Sequence, residues 1–272
     1  MKNRMVYSHA GRSRRPRASR AAVMSAIACL GVLLAAGGSV AALRASQLQI
    51  HRIAVTGLQA LDERAVRARI DGTLAGTRWL VFPRRSFPIA DTDAVEADLA
   101  RDFPRIRVVS ATKKFPDMLN VSVVERVFWG VFCTGNAAQE CAYIDPDGVA
   151  YERAPRPRGS LIISIQSDSG EDIVPGAQAI DPGLMRQIRA LEQGIAAQTN
   201  ITPADFELRA RAPDEIRAVS ADGMTMIFVR QDDYAPVLKI LKRVLEGEIK
   251  ERRERLDYID LRFDNKVFYK MK

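Results

Sequence analysis

Apolar residues recur along this chain in three different periods, and each change of period marks a new kind of element. Residues 21–43 carry no charge at all. As a helix those 23 residues extend roughly 34 Å at about 1.5 Å per residue, enough to cross a hydrocarbon core of about 30 Å. Beyond Gln49 the pattern shortens. Ile50, Ile53 and Val55 stand among polar residues and stop at Thr56-Gly57, a strand ended by a turn glycine. Leu61, Ala65, Val66 and Ile70 then share one helical face, with acids in the first turn. Asp91-Thr92-Asp93 caps a second helix carrying Ala94, Val95, Leu99 and Ala100. After Phe103-Pro104, the set Ile106, Val108 and Ser110 alternates with Arg105, Arg107 and Val109. Phe115-Pro116-Asp117 makes a turn, and Leu119, Val121 and Val123 alternate up to Glu125-Arg126. The spacing predicts a strand, two helices and a hairpin in succession.

The second half is richer in short strands. Residues 127–132 and 142–144 read as strands about a Gly/Asn turn, and residues 161–165 read as a buried strand. Met185, Ile188, Leu191 and Ile195 mark a helix, followed by strands at 206–208, 216–219 and 224–229. Val237, Leu238, Leu241, Val244 and Leu245 stripe the last helix, whose Lys239, Lys242 and Arg243 form a wet face. Residues 258–263 alternate strictly, so Ile259, Leu261 and Phe263 are expected to face inward and Tyr258, Asp260 and Arg262 outward. Past Asp264-Asn265, residues 266–270 are strand-like again, with Phe268 and Tyr269 too apolar for a free tail. No repeat appears, and no linker longer than a loop separates the two parts.

Composition and charge narrow the function. With 47% hydrophobic and 27% charged residues the chain is an ordinary globular protein, which excludes wholesale disorder. Its 272 residues correspond to about two domains. The net charge of +8 suggests nucleic acid until it is located. Lys2, Arg4, Arg12, Arg14, Arg15, Arg17 and Arg20 supply seven cations before the apolar run; of the 41 Lys and Arg, 34 remain after residue 20 against 33 Asp and Glu. The body is balanced, the excess is a basic tail, and a nucleic-acid footprint is absent. The apolar run reads as an uncleaved anchor rather than a signal peptide or a buried soluble helix. Ser39-Val40-Ala41 resembles a cleavage site and Arg14-Arg15 a twin-arginine signal. The run is too long for a signal peptide, however, and Pro16, Arg17 and Ala18 replace the expected large apolar residues. By the positive-inside rule the tail stays cytoplasmic and everything from Arg44 is exported.

Chemistry-bearing residues are sparse. Cys29 lies within the apolar run; Cys133 and Cys141 bracket the Gly/Asn turn, where they are either a disulfide of an oxidising compartment or two unpaired buried thiols. His51 has no neighbouring ligand set, nucleophile or acid, and His9 lies in the tail. Ser110-Ala111-Thr112-Lys113 matches the Ser-x-x-Lys of penicillin-interacting enzymes, but on a strand residues three apart point to opposite faces. Asp145-Pro146-Asp147-Gly148 lacks the rest of a calcium loop and reads as a type I turn. The glycosylation-like triplets at Asn120 and Asn200 carry no assignment.

The ordered set Ile50-x-x-Ile53-x-Val55-x-Gly57, Phe103-Pro104-x-Ile106-x-Val108 and Phe115-Pro116-Asp117-x-Leu119-x-Val121-x-Val123-x-Glu125-Arg126 resembles the POTRA domain of the FtsQ/DivIB family of bacterial cell-division proteins. The segment Tyr143-Ile144-Asp145-Pro146-Asp147-Gly148-Val149 resembles the opening of that family's second domain, and Tyr258-Ile259-Asp260-Leu261-Arg262-Phe263 its closing strand. Phe128-Trp129 and Phe263 depart from residues common in the family.

The resemblance implies an α+β chain: a basic cytoplasmic tail (1–20), a single transmembrane helix (21–43), and a βααββ POTRA domain (48–126). A mixed α/β "β domain" with a mainly antiparallel sheet (127–265) and a C-terminal strand or tail (266–272) follow. It implies a non-enzymatic scaffold in the inner membrane at the division septum, linking early cytoplasmic and late periplasmic components, without cofactor, metal, nucleic acid or small-molecule substrate. Its implied partners are FtsB, FtsL and other divisome membrane proteins, the POTRA part aiding septal localisation. In this family FtsB docks by strand addition beside the closing strand, which implicates Tyr258, Asp260, Arg262, Phe263, Lys266 and Phe268. Against this, Lys266 and Lys270 also suit gatekeepers that keep a bare edge soluble. The rival functions are an anchored serine acyl-transferase of the cell wall and a POTRA-bearing chaperone of outer-membrane assembly.

Overall fold

Twenty-five residues, Arg20–Arg44, form helix α1, and its stretch Val23–Ala41 is long and apolar enough to cross a membrane. This computed structural model describes residues 20–78, 82–135, 140–263 and 266–272. Most of the basic tail, the middle of the Gly/Asn turn and Asp264-Asn265 lie outside the described residues.

The first domain follows at once. Strand β1 (Arg52–Thr56) leads to α2 (Glu63–Thr73), a two-stranded hairpin β2 (Thr77–Arg78) and β3 (Phe82–Pro83), α3 (Thr92–Asp102), β4 (Ile106–Lys114) and β5 (Met118–Glu125). The sheet order is β1-β5-β4, with β1 parallel and β4 antiparallel to β5. The helices start where the sequence places their caps: the Asp62 carboxylate accepts from Arg64 N–H and that of Asp91 from Ala94 N–H. Their apolar stripes bury Val66, Ile70, Val95 and Leu99 against Ile106, Ala111, Leu119, Val121 and Val123. Gly57 has φ +87°, and a Cβ there would meet the Val123 carbonyl at 2.0 Å, so both turn and close packing demand glycine. One alternation differs from expectation. A register shift between Ile106 and Val108 changes the phase of β4, leaving Val108 exposed while Val109 and Ala111 turn to the core.

The second domain is one nine-stranded sheet, ordered β14-β13-β12-β11-β10-β9-β6-β7-β8. In chain order it runs β6 (Gly130–Thr134), β7 (Glu140–Ile144), β8 (Ala150–Ala154), β9 (Ser164–Ser167), α4 (Pro182–Thr199), β10 (Pro203–Arg209), β11 (Ala212–Ser220), β12 (Thr225–Val229), α5 (Ala235–Val244), β13 (Leu256–Phe263) and β14 (Lys266–Met271). Five of its pairings are antiparallel. The parallel ones are β6/β9, β9/β10 and β12/β13, and α4 and α5 make the last two crossovers. Met185, Ile188, Leu191 and Ile195 of α4 and Leu238 and Leu241 of α5 pack on Ile165, Phe206, Ile216, Phe228 and Ile259. The fold is therefore α+β, as the sequence reading expects. Two strands differ in extent. The segment expected as a strand over 127–132 pairs only from Gly130, leaving Val127 exposed. In the segment 161–165 Leu161 is 98% exposed and the ladder begins at Ser164, so the apolar run is mostly loop.

The domains meet at charged turns. Arg126 Nη1 donates to Asp145 Oδ2 at 2.6 Å, while Asp145 Oδ1 accepts from the N–H groups of Asp147 and Val149. Arg107–Asp147 at 2.8 Å and Arg105–Glu152 at 3.2 Å bridge the same junction, and the Arg105 guanidinium stands 5.2 Å from the Tyr151 ring centroid.

Candidate functional site

A sheet edge carries unpaired backbone donors and acceptors, so the four edges of the two large sheets are the places to look for a strand-binding site. Three have at least one backbone group engaged within the chain. On β1 the Ile53 carbonyl accepts from Arg67 Nη1. On β4 the Ala111 N–H donates to Glu96 Oε1 at 2.6 Å. On β8 Ala150 donates to the Ala177 carbonyl at 3.1 Å and accepts from Gly176 N–H at 2.7 Å. Among the described residues, nothing hydrogen-bonds the backbone of β14 beyond its pairing to β13.

Beside that edge stand the residues the sequence singles out. Tyr258 lies opposite Lys270, Asp260 opposite Phe268, and Phe263 opposite Lys266. A register shift between Asp260 and Phe263 breaks the strict alternation of β13. Two expectations are corrected here. Phe263 is not in the core; it is 51% exposed and meets Phe268 edge to face, ring centroids 5.3 Å apart. Asp260 lies on the sheet face away from the helices, opposite Phe268, yet is only 6% exposed because Arg262 folds over it. Ile259 and Leu261 are buried as expected.

Arg262 organises the site. Its Nη2 donates to Asp260 Oδ2 at 2.6 Å and its Nη1 to Glu215 Oε2 at 2.7 Å, while Arg217 pairs with the other oxygen of Glu215. Hydrogen bonding from Arg262 holds the Asp260 carboxyl below its ordinary range against the opposing effect of burial. The same bond raises Arg262, and the Asp257 partner raises Lys270 in the same manner. Glu215 and Arg217 are members that the sequence reading missed. Their signal was the spacing of two, shared with Asp260 and Arg262, which places opposite charges on one face of a strand. Next to Phe263, Val229, Val237, Ile240 and Leu261 line a recess of about 220 Å³.

Elsewhere, Cys133 and Cys141 are cross-strand neighbours joined in a disulfide. His51 is exposed, its Nδ1 2.7 Å from the Gln49 carbonyl oxygen. Lys113 Nζ donates to the Ala90 carbonyl at 3.0 Å, whereas Ser110 sits opposite Ser122 in mid-strand. Among the described residues, no three His, Cys, Asp or Glu side chains converge as metal ligands.

Residues 48–126, covering the first domain described above, match the family described as POTRA domain, FtsQ-type. Over 204 residues the chain is 24% identical to the cell division protein FtsQ of Streptomyces bingchenggensis (strain BCW-1), an alignment spanning 74% of this chain and 70% of that one. Both matches support the FtsQ/DivIB family. The bare β14 edge lies outside the matched POTRA residues, in the second domain. An FtsQ-type POTRA domain behind one apolar helix thus precedes a sheet whose last pair of strands carries the ion network and the aromatic pair.

Proposed function

We propose that this chain is an FtsQ-like, non-enzymatic scaffold of bacterial cell division that captures the bitopic proteins FtsB and FtsL through β14. In this reading α1 anchors it in the inner membrane at the septum, with the basic tail cytoplasmic and the two domains exported. The POTRA domain contacts other divisome membrane proteins. The observation that carries the proposal is the contrast among edges: β14 alone lacks an internal cap among the described residues. A partner strand added there gains main-chain hydrogen bonds, while Arg262, Phe263 and Phe268 and the neighbouring recess select its side chains. The acyl-transferase alternative is disfavoured because Ser110 and Lys113 engage different neighbours.

The test is co-purification of FtsB and FtsL with the full chain, the chain stopped after Asn265, and Phe263→Ala. Stopping after Asn265 should abolish capture. Phe263→Ala should weaken it about 30-fold, the effect of losing about 2 kcal/mol at an interface anchor. Undiminished capture by the shortened, folded chain would remove β14 from the interface.

A further inference from the structure

We propose that the membrane-proximal end of the POTRA domain docks on the anionic phospholipid surface of the bilayer that α1 crosses. The chain path brings it there. From Ala41, where the apolar stretch ends, α1 continues to Arg44, and a short 3-10 turn, Ser46–Leu48, follows. Leu48 O accepts from Phe87 N–H at 2.7 Å, Ile50 N–H donates to Arg85 O at 2.9 Å, and Gln49 bridges Ser86. Strand β3 packs beside α1 itself. At helical and 3-10 rises the path from Ala41 to Leu48 covers roughly 14 Å. Residues 82–87 are thus within about one Debye length, roughly 10 Å, of a headgroup layer several ångströms thick.

A second hairpin converges on the same end. The N–H groups of His51 and Arg52 both donate to Asp117 O, at 3.0 and 3.2 Å, which sets the turn between β4 and β5 level with the start of β1. At its tip Phe115 is 71% exposed, its ring standing edge to face on Phe87 with centroids 5.7 Å apart. Lys114 precedes it in the chain, and Arg52, Arg84 and Arg85 lie on the segments tied together at this end. Asp117 neutralises Arg52 and Asp71 neutralises Arg85, whereas Arg84 and Lys114 have no ion pair among the described residues. An exposed aromatic at the same end of the domain as two cations without an ion pair among the described residues, tethered within reach of headgroups, is the composition that a lipid interface favours. Water alone gives Phe115 no reason to stand out.

This inference rests on α1 crossing the bilayer and not on partner capture by β14. The full chain carrying Cys29→Ala, with a nitroxide attached at Phe115→Cys, is reconstituted into vesicles of phosphatidylcholine with or without one-third phosphatidylglycerol. Power saturation then compares access of oxygen with that of a water-soluble nickel complex. Expected is an oxygen-rich, nickel-poor site at residue 115 in the anionic vesicles, and a nickel-accessible control at Gln59→Cys, on the far side of the domain. Arg84→Gln and Lys114→Gln should each lower the docked-to-undocked ratio about fivefold, the worth of one basic residue near an anionic surface. A label at Lys114→Cys in the otherwise unchanged domain checks that the Phe115 substitution has not disturbed the tip. Residues 114 and 115 as open to nickel as residue 59 in both lipids would overturn the proposal. So would protection that is equal in neutral vesicles and indifferent to the two Gln variants. FtsB capture is measured on the same preparations, so that failure here and failure at β14 are told apart.

Discussion

The edge strands β4 and β14 meet the same problem, a row of unpaired backbone groups, in opposite ways. In the POTRA domain carboxylates are turned onto the backbone. Glu96 accepts from Ala111 N–H on β4, and Glu125 at the end of β5 accepts from the N–H groups of Gln59, Ala60 and Leu61. In the second domain the carboxylates of Asp260 and Glu215 are matched to the side chains of Arg262 and Arg217. That leaves the β14 backbone unclaimed. Closing an edge with an acid makes a self-contained domain; pairing acids with arginines stabilises a surface while keeping its edge open to another chain.

The largest expected effect tests the first half of this contrast. Glu125→Ala strips the acceptor from three N–H groups and the counter-charge from Arg105, and these groups are only partly reached by water. Leaving buried donors unsatisfied costs about 1–3 kcal/mol apiece when desolvation is complete, so a POTRA destabilisation of about 3 kcal/mol is expected. Calorimetry of the full chain should show the POTRA transition lowered and that of the second domain unchanged, since the two hydrophobic cores are separate. A shared loss in both transitions would show the domains to be one cooperative unit, held together by the Arg126–Asp145 junction.

A smaller effect sharpens the contrast directly. Glu96→Ala uncaps β4 at Ala111, which should cost about 1 kcal/mol of POTRA stability. It should also convert a closed edge into an open one. Sedimentation velocity at rising concentration should then show more self-association than in the parent chain. A monomeric Glu96→Ala chain would mean that the remaining features of β4, among them Lys113 and Lys114, already suffice to keep the edge unpaired.

How far the sequence discloses this arrangement depends on the range of the interactions involved. Caps at Asp62 and Asp91 and the stripe of α4 are local, and spacing alone reveals them. Register shifts are not local. Nothing in Ile106-Arg107-Val108 or in Asp260-Leu261-Arg262-Phe263 announces the extra residue that turns Val108 and Phe263 outward, because the shift is defined against the partner strand. The apolar run beginning at Leu161 misleads for the same reason: a strand exists only where a neighbour pairs with it, and pairing starts at Ser164. The candidate site was half legible. The segment was marked by its alternation and its aromatics, whereas Glu215 joins it from 47 residues away through a sheet order that spacing does not give.

Acid separates the two uses of a carboxylate with the smallest effect. Burial tends to raise Glu125, but the N–H groups of Gln59, Leu61 and Ala60, with help from Arg105, bring it below its ordinary range; Asp260 is lowered chiefly by Arg262. A carboxyl depressed in the folded state binds its proton more readily when unfolded. Its contribution to stability is therefore full above the unfolded value, about 4, and is lost as pH falls through the lower folded value. Both groups thus favour the native state at neutral pH, and both cease to do so in acid. Salt distinguishes them. The partner of Asp260 is a cation more than a third exposed to solvent, and screening at 1 M acts within about 3 Å, whereas hydrogen bonds from neutral N–H groups respond little. The measurement is urea unfolding of the parent, Glu125→Gln and Asp260→Asn chains between pH 7 and pH 3, in 0.1 M and 1 M sodium chloride. The part of the acid sensitivity removed by Asp260→Asn should shrink in high salt, and the part removed by Glu125→Gln should persist. Equal shrinkage would show that Glu125 is governed by Arg105 rather than by the backbone, and the distinction between the two domains would fail at that residue.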